Sequence, residues 1–239
     1  MIKSLFCTVF LTAFFLFSCD FDGETINGNG NFRSENRHID NITKVNVTGG
    51  IDVFVEQGTP SVKAEGDENI LRYIETRSDG DWLEIKTRDN VNIHSSQPVK
   101  VFVTVPEIIE LKVAGSGNIT CNNKFSTGEN MSFNITGSGS ITAFVNAPAV
   151  NASITGSGNM YIKGETRNAD INITGSGNYE SPNLKAENAA VKISGSGDAN
   201  LFADNNLKAS ILGSGGIKYS GNAVVAENIA GSGRVTKVP

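Results

Sequence analysis

The tripeptide Gly-Ser-Gly occurs seven times in the last 125 residues of the chain, at intervals of 18 to 22 residues. Self-similarity at a nearly constant period is typical of repeat proteins, in which each unit packs on the next one. The sequence therefore predicts an array of stacked units. The structural turn glycines of these triplets are Gly115, Gly117, Gly137, Gly139, Gly156, Gly158, Gly175, Gly177, Gly195, Gly197, Gly213, Gly215, Gly231 and Gly233.

Apolar and polar residues alternate on both sides of the triplets. Such a period of two predicts strands that bury one face. A corner repeated in every unit favours glycine, which accepts positive φ and lets the backbone of the next unit approach closely. We expect the central serine to hydrogen-bond to nearby backbone groups. The inward columns are Val113, Ile135, Ile154, Ile173, Ile193, Ile211 and Ile229 before the corner, and Ile119, Ile141, Met160, Tyr179, Ala199, Ile217 and Val235 after it.

The predicted fold is all-β: a single-domain, right-handed parallel β-helix, or solenoid, with about seven Gly-Ser-Gly-cornered rungs. Residues 114–239 form the repeat region, and residues 32–113 supply N-terminal β-strands that cap it. A separate small β-sandwich at residues 32–106 is the alternative. Glu227 and Lys237 fall at inward positions of the last unit, as expected of a polar terminal rung.

The N-terminus has the pattern of an export signal. Lys3 precedes an apolar stretch, residues 5–17, that is short for a membrane span. It ends in Leu16-Phe17-Ser18-Cys19, which resembles the lipobox of bacterial lipoproteins. The resemblance implies that residues 1–18 are a lipoprotein signal peptide and that Cys19 is lipidated, so that a lipid anchor attaches the protein to the membrane.

Residues 19–31 are rich in Asp, Gly and Asn, which predicts a flexible tether between the anchor and the solenoid. We expect the protein to be anchored to the outer membrane and to face outward from the cell surface. The periplasmic face is the alternative location.

Charge and cysteine content argue against a nucleic-acid-binding protein and against a fold held by disulfides. The net charge of −5 disfavours nucleic acid as a partner. After loss of Cys7 with the signal and lipidation of Cys19, only Cys121 remains, so no intramolecular disulfide can form. Cys121 falls at an inward position and is expected to be buried.

The sequence offers little for catalysis, and we predict no enzyme activity, no cofactor and no metal site. Each triplet serine stands directly between glycines, unlike the nucleophile of a Gly-x-Ser-x-Gly elbow. His38 and His94 lie in polar stretches. Calcium-binding solenoids need a carboxylate in every turn, whereas Asp198 is the only acid at the seven equivalent positions. The remaining repeat-region acids that we considered for glycan cleavage are scattered: Asp170, Glu187 and Asp204.

Four features outside and inside the repeats occur together in this chain: Gly49 to Gly58, Val62 to Asp67, Trp82 to Ile85, and the rows of Gly-Ser-Gly-Asn/Asp. Together they resemble one bacterial family, the auto-transporter adhesins with a head GIN domain. The resemblance covers about residues 32 to 235. It implies an exported all-β helical protein of adhesin type, without known catalytic or ligand residues.

The leading functional hypothesis is a non-enzymatic, anchored scaffold that binds an extracellular glycan or protein, as an adhesin or as a surface assembly component. A glycan-binding or glycan-processing envelope protein is the alternative, and a purely structural envelope protein is a third hypothesis. Tyr161 is predicted to face outward and, with Tyr73 and Trp82, to contribute to a binding face. Unpaired strands at the solenoid ends would permit a homo-oligomer.

Overall fold

The computed structural model describes residues 23–239, so the predicted signal peptide and Cys19 lie outside the described part of the chain. Almost all of this part is β-structure, with one short helix, α1 (Glu68–Leu71). The strands are β1 (Glu24–Asn27), β2 (Phe32–Arg37), β3 (Lys44–Gly49), β4 (Asp52–Gln57), β5 (Ser61–Asp67), β6 (Ile74–Asp79), β7 (Trp82–Thr87), β8 (Val91–His94), β9 (Lys100–Val105), β10 (Glu110–Gly115), β11 (Asn118–Ser126), β12 (Met131–Gly137), β13 (Ser140–Gly156), β14 (Asn159–Gly175), β15 (Asn178–Gly195), β16 (Asp198–Gly213), β17 (Gly216–Ser220), β18 (Val224–Gly231) and β19 (Arg234–Lys237).

The strands stack as a solenoid whose rungs share one register. Strands that lead into a corner pair in parallel with their equivalents above and below, and strands that leave it do the same. The first glycine of each triplet pairs with the first glycine of the next, from Gly115 through Gly231. In β13 to β16 a single strand runs from one corner to the next. The predicted parallel solenoid of about seven turns is confirmed.

The apolar columns form the core. Ile135, Ile154 and Ile173 occupy equivalent positions in three successive rungs, and each is at most 1% exposed. Burying one such side chain contributes roughly 1.5–3 kcal/mol. Because every rung buries its apolar side chains against the next, the core is continuous along the whole stack.

The solenoid continues into the N-terminal region, where it has a further corner without the triplet. Gly49 pairs with Gly115, and β3 and β4 pair in parallel with β10 and β11. Strands β7 and β9 extend both stacks by one more rung. Strands β3, β4, β7 and β9 thus belong to the same sheet as the repeats, and they do not form the separate β-sandwich that we considered as the alternative.

Antiparallel strands close the N-terminal end. Strand β5 pairs with β9 and β2, and β6 pairs with β7, each in antiparallel orientation. The parallel stack ends here, because β5 and β6 run in the opposite direction to the strands on which they pack. Strands β1, β2, β6 and β8 were not foreseen from the sequence, since β1, β2 and β6 lack a clear alternation of apolar residues and β8 alternates over only four residues.

The segment predicted as a flexible tether is partly ordered. Strand β1 pairs in parallel with β8, and the Asp67 carboxylate accepts hydrogen bonds from the backbone N–H of Gly30 (3.1 Å) and Ser96 (2.7 Å). The prediction for residues 19–31 was therefore wrong from Glu24 onward. Buried Asp67 needs these donors, and satisfying it fixes the segment on the cap.

The C-terminal end is less covered. Strands β18 and β19 each pair on one side only, and Glu227 is exposed at an inward position, as the sequence predicted. Charged side chains at such positions discourage further strands from adding to the edge. Among the described residues, no helix has the length and apolar character needed to cross a membrane.

Candidate binding surfaces

The corners require glycine for a reason visible in the backbone. The first glycine has positive φ, for example +118° at Gly156, and an added Cβ would lie only 2.5 Å from the carbonyl oxygen of Gly137 in the rung below. At the second glycine the φ angle is ordinary, but a Cβ on Gly158 would lie 2.7 Å from the oxygen of Gly139. Both glycines are thus fixed by the close stacking of the rungs, which supports the structural role predicted for them.

The serine between the glycines is exposed in all seven triplets. Its backbone N–H donates to the glycine carbonyl of the rung below, as from Ser157 to Gly137 at 2.9 Å. The backbone of the serine, rather than the hydroxyl that we expected, supplies this hydrogen bond of the corner. The serine hydroxyls therefore form an exposed row along the solenoid.

The position after the triplet carries part of a side-chain ladder. The Asn178 amide donates to the Asn159 oxygen at 2.9 Å, and the Ser140 hydroxyl donates to Asn118 at 2.6 Å. Asp198 departs from this pattern, because its carboxylate accepts the backbone N–H of Gly216 (2.7 Å). That carboxylate therefore has a structural partner within the repeat.

A second asparagine ladder lines a hollow on the outside of the strands that approach the corner. The Asn188 amide donates to Asn168 at 3.3 Å, and Asn206 donates to Asn188 at 2.9 Å. The hollow has a volume of about 600 Å³, extends from β13 to β18, and includes exposed Val224 and Ala226 in its lining. We call this hollow, defined by Asn168, Asn188, Asn206, Asp170, Ala190 and Lys208, the amide groove.

The amide groove contains a column in which alanines alternate with charged residues. Asp170, Ala190, Lys208 and Ala226 occupy one column in four successive rungs. The backbone positions of Asp170 and Lys208 are thus two rungs, or about 9.6 Å, apart, and Ala190 lies between them. The same four residues also line an adjoining hollow of about 470 Å³. The groove therefore combines ordered amides, one acid and one base.

Lysines and phenylalanines alternate on the outside of the strands that leave the corner. Lys124 and Lys163, from the rungs on either side, place their ammonium groups 5.2 and 5.0 Å from the ring centre of Phe144. Lys185 lies 4.0 Å from the ring of Phe202. Each such contact contributes about 0.5–1 kcal/mol at an exposed site. These contacts fix the lysines in position on this side of the solenoid.

The aromatic residues predicted to form one binding face lie apart. Tyr161 is 44% exposed on β14, as expected of an outward residue. Trp82 lies on β7 beneath Lys44, and Tyr73 lies between Arg72 and Arg88 near α1. The three side chains therefore do not form a common surface.

The residues considered for catalysis remain separate from one another. His38 is highly exposed beside Asp40, whereas His94 ends β8 and contacts Asn92. Asp204 accepts a hydrogen bond from Asn222, and Asp170 lies in the amide groove. Within residues 23–239, no group of three or more His, Cys, Asp or Glu side chains could hold a metal ion.

A thiol and a phenol are buried in the core, apart from the buried carboxylate of Asp67. Burial raises the pKa of the Cys121 thiol to about 12, so the thiol stays protonated at neutral pH. Burial also raises the pKa of Tyr179, whose hydroxyl lies in the solenoid interior. Both side chains act as apolar packing residues, as predicted for Cys121.

Several solved structures of bacterial proteins have the same fold. A putative adhesin from Bacteroides fragilis is 19% identical, with a TM-score of 0.83 over 89% of this chain and 100% of that one. A putative lipid binding protein from Parabacteroides distasonis is 25% identical, with a TM-score of 0.77 over 90% of this chain and 100% of that one. A putative adhesin from Parabacteroides merdae is 23% identical, with a TM-score of 0.73 over 91% and 100% of the two chains.

No curated protein matches the chain. A family model described as "Putative auto-transporter adhesin, head GIN domain" matches residues 41–223, which is most of the chain and includes both the N-terminal corner at Gly49 and six of the seven triplets. The chain belongs to this adhesin-type head GIN domain family.

Proposed function

We propose that this protein is an exported lipoprotein, anchored through Cys19 to the outer membrane, whose solenoid is a non-enzymatic binding scaffold of adhesin type at the cell surface. The observation that carries the proposal is the register of the solenoid, which repeats exposed hydroxyl and amide groups rung after rung. Family membership and the adhesin-type neighbours support the same reading.

A repeating surface suits adhesion because many weak contacts act together. Each exposed hydroxyl or amide contributes little by itself, since water competes for the same hydrogen bonds. Contacts repeated at each rung, about 4.8 Å apart, can engage successive units of an extended ligand at once. Binding at the cell surface then gains from avidity along the rungs in addition to the individual contacts.

The location and the binding role can be tested on intact cells of the source bacterium. Brief protease treatment should release or degrade the solenoid if it faces outward, whereas full protection would contradict surface exposure. A strain without the protein should attach less well to its target surface and should regain attachment when the full chain is restored. Unchanged attachment would contradict the adhesin role.

The anchor is tested by labelling cells with an alkyne-tagged fatty acid. Cys19→Ser should abolish the label and move the protein from the membrane to the soluble fraction, because the thiol is the attachment atom. Cys7→Ser is the matched control, since Cys7 is removed with the predicted signal peptide, and it should keep the label. Labelling that survives Cys19→Ser would overturn the anchoring proposal.

A further inference from the structure

The amide groove presents hydrogen-bonding groups that are already ordered. Asn188 uses one N–H to reach Asn168 and one oxygen lone pair to accept from Asn206. A side-chain amide has two donors and two acceptor sites, so one of each remains available at Asn188. Because each amide is held by its neighbour, a ligand would find these groups oriented before it binds.

The groove also has the shape for a ring-sized ligand. Its volume of about 600 Å³ lies within the ordinary range for small-molecule sites. Ala190 and Ala226 leave room on either side of Lys208, and exposed Val224 adds an apolar side chain to the lining. Four rung spacings separate β13 from β18, so the groove is roughly 19 Å long.

The chemistry of the lining favours an uncharged polyol. Asp170 and Lys208 give the column one charge of each sign, so the groove offers no excess charge to a polyanion or a polycation. The amides, the carboxylate and the ammonium supply both donors and acceptors for hydroxyl groups, while Ala190, Ala226 and Val224 can contact C–H groups. A sugar ring presents this combination of hydroxyl edges and C–H faces.

A peptide is less suited to the groove. The lining strands β14, β15 and β16 are interior strands, each paired on both sides, so no free strand edge is available for a peptide to extend the sheet. The small residues of the lining, Ala190 and Ala226, do not shape pockets for large side chains. Hydrogen bonding to side chains is therefore the main interaction that the groove offers.

We propose that the amide groove binds a neutral oligosaccharide, with the Asn168–Asn188–Asn206 ladder donating to and accepting from successive sugar hydroxyls. This inference rests on the proposed function and names the ligand class of that scaffold. Purified protein tests the groove, whereas attachment of cells tests the adhesin role, so either can fail without the other.

The experiment measures binding of purified residues 20–239 to neutral hexasaccharides of glucose, mannose, xylose and N-acetylglucosamine, with polygalacturonate as an acidic comparison, by calorimetry. At least one neutral hexasaccharide should bind, without turnover. Ala190→Arg should weaken that binding at least tenfold, because the long side chain fills the hollow. Asn188→Ala should also weaken it at least tenfold, because it removes the centre of the ladder.

Thr142→Arg is the matched control, since it places the same exposed side chain on β13, on the strands that leave the corner, and it should bind as the unmodified protein does. Circular dichroism and the melting temperature show whether each variant is folded; if Ala190→Arg is not, Asn188→Ala decides. The proposal is overturned if none of the neutral hexasaccharides binds at millimolar concentration, if polygalacturonate binds in preference to them, or if both groove variants bind normally.

Discussion

In the Gly-Ser-Gly corner the two glycine positions accept no side chain, whereas the serine position between them does. The glycines have no space for a Cβ, because the carbonyl oxygen of the rung below lies 2.2–2.8 Å from where that atom would be. The serine between them is exposed, and its backbone makes the hydrogen bond that the corner needs. The triplet therefore has its glycines for folding, while its serine hydroxyl is left free for contacts outside the solenoid.

This difference predicts opposite results for two neighbouring substitutions. Gly156→Ala should lower the free energy of unfolding by about 1–3 kcal/mol or more. The substitution combines an unfavourable positive φ with a steric clash against Gly137. Ser157→Ala should change stability by no more than about 0.5 kcal/mol, since the hydroxyl is on the surface. Thermal and denaturant unfolding of the purified domain measure both.

Gly128→Ala is the control for a glycine outside a corner, because no atom lies within 4 Å of an added Cβ there. It should behave like Ser157→Ala. Equal losses at Gly156 and Gly128 would show that close stacking is not what the corner glycines provide.

At the scale of elements, the parallel stack ends differently at its two ends. The N-terminal end is closed by antiparallel strands, and β1 and β8 are held there by buried Asp67. The C-terminal end has single-sided strands with Glu227 exposed at an inward position. A polar or antiparallel terminus at each end is what keeps a parallel stack from growing by further strand addition.

Asp67 should make the stability of the cap depend on pH. Hydrogen bonds from Ser96 hold the pKa of the Asp67 carboxyl below its ordinary value of 3.8, against the opposing effect of burial. A carboxyl with a lowered pKa in the folded state stabilises the protein above its unfolded pKa, and this stabilisation is lost as the pH falls below about 3.8. Asp67→Asn should therefore be less stable than the unmodified protein at pH 7, and the difference should shrink toward pH 3.

Melting temperatures of the two proteins between pH 7 and pH 3 test this expectation. Asp79→Asn, which alters an exposed acid on β6, is the control and should follow the unmodified protein throughout. A difference between Asp67→Asn and the unmodified protein that stays constant with pH would mean that the carboxylate charge has no part in holding β1 and β8.

At the scale of the whole molecule, the solenoid is a sum of nearly equivalent rungs. Gly156 pairs with Gly175, and the strands between the corners contact only the rungs directly above and below over most of their length. Stability in such a stack depends mainly on each rung and its two interfaces. The amide groove and the lysine–phenylalanine contacts, by comparison, need several rungs in sequence.

Removal of one exact repeat should leave the fold intact. Deletion of residues 157–175 joins Gly156 to Ser176, so that the remaining corners and inward columns stay in register. The protein should keep its β-type circular dichroism and become shorter by about 4.8 Å, one strand spacing, which small-angle scattering can measure.

Deletion of residues 157–166 is the matched control, because it removes about half a rung together with one corner and places strands out of register. This variant should be insoluble or unfolded. Similar behaviour of the two deletions would contradict the description of the chain as a stack of exchangeable rungs.

The sequence by itself determined the corners, the inward columns and the parallel stacking, because these depend on local patterns that recur with every unit. The same reasoning could have predicted the corner at Gly49, because alternating valines flank it at Val45, Val47, Val53 and Val55. This corner lacks the Gly-Ser-Gly triplet, however, and was therefore not recognised from the sequence.

Only the tertiary structure decided which outward side chains meet. The strands of neighbouring rungs shift register between Thr120 and Lys124 and between Met160 and Gly164, so the distance along the chain does not reveal the neighbours across rungs. The amide groove and the Lys124–Phe144–Lys163 contacts depend on those neighbours, and so does the Asp67 site that orders the predicted tether. The physical reason is that burial repeats with the local period, whereas contacts between exposed side chains depend on the exact stacking of one rung on another.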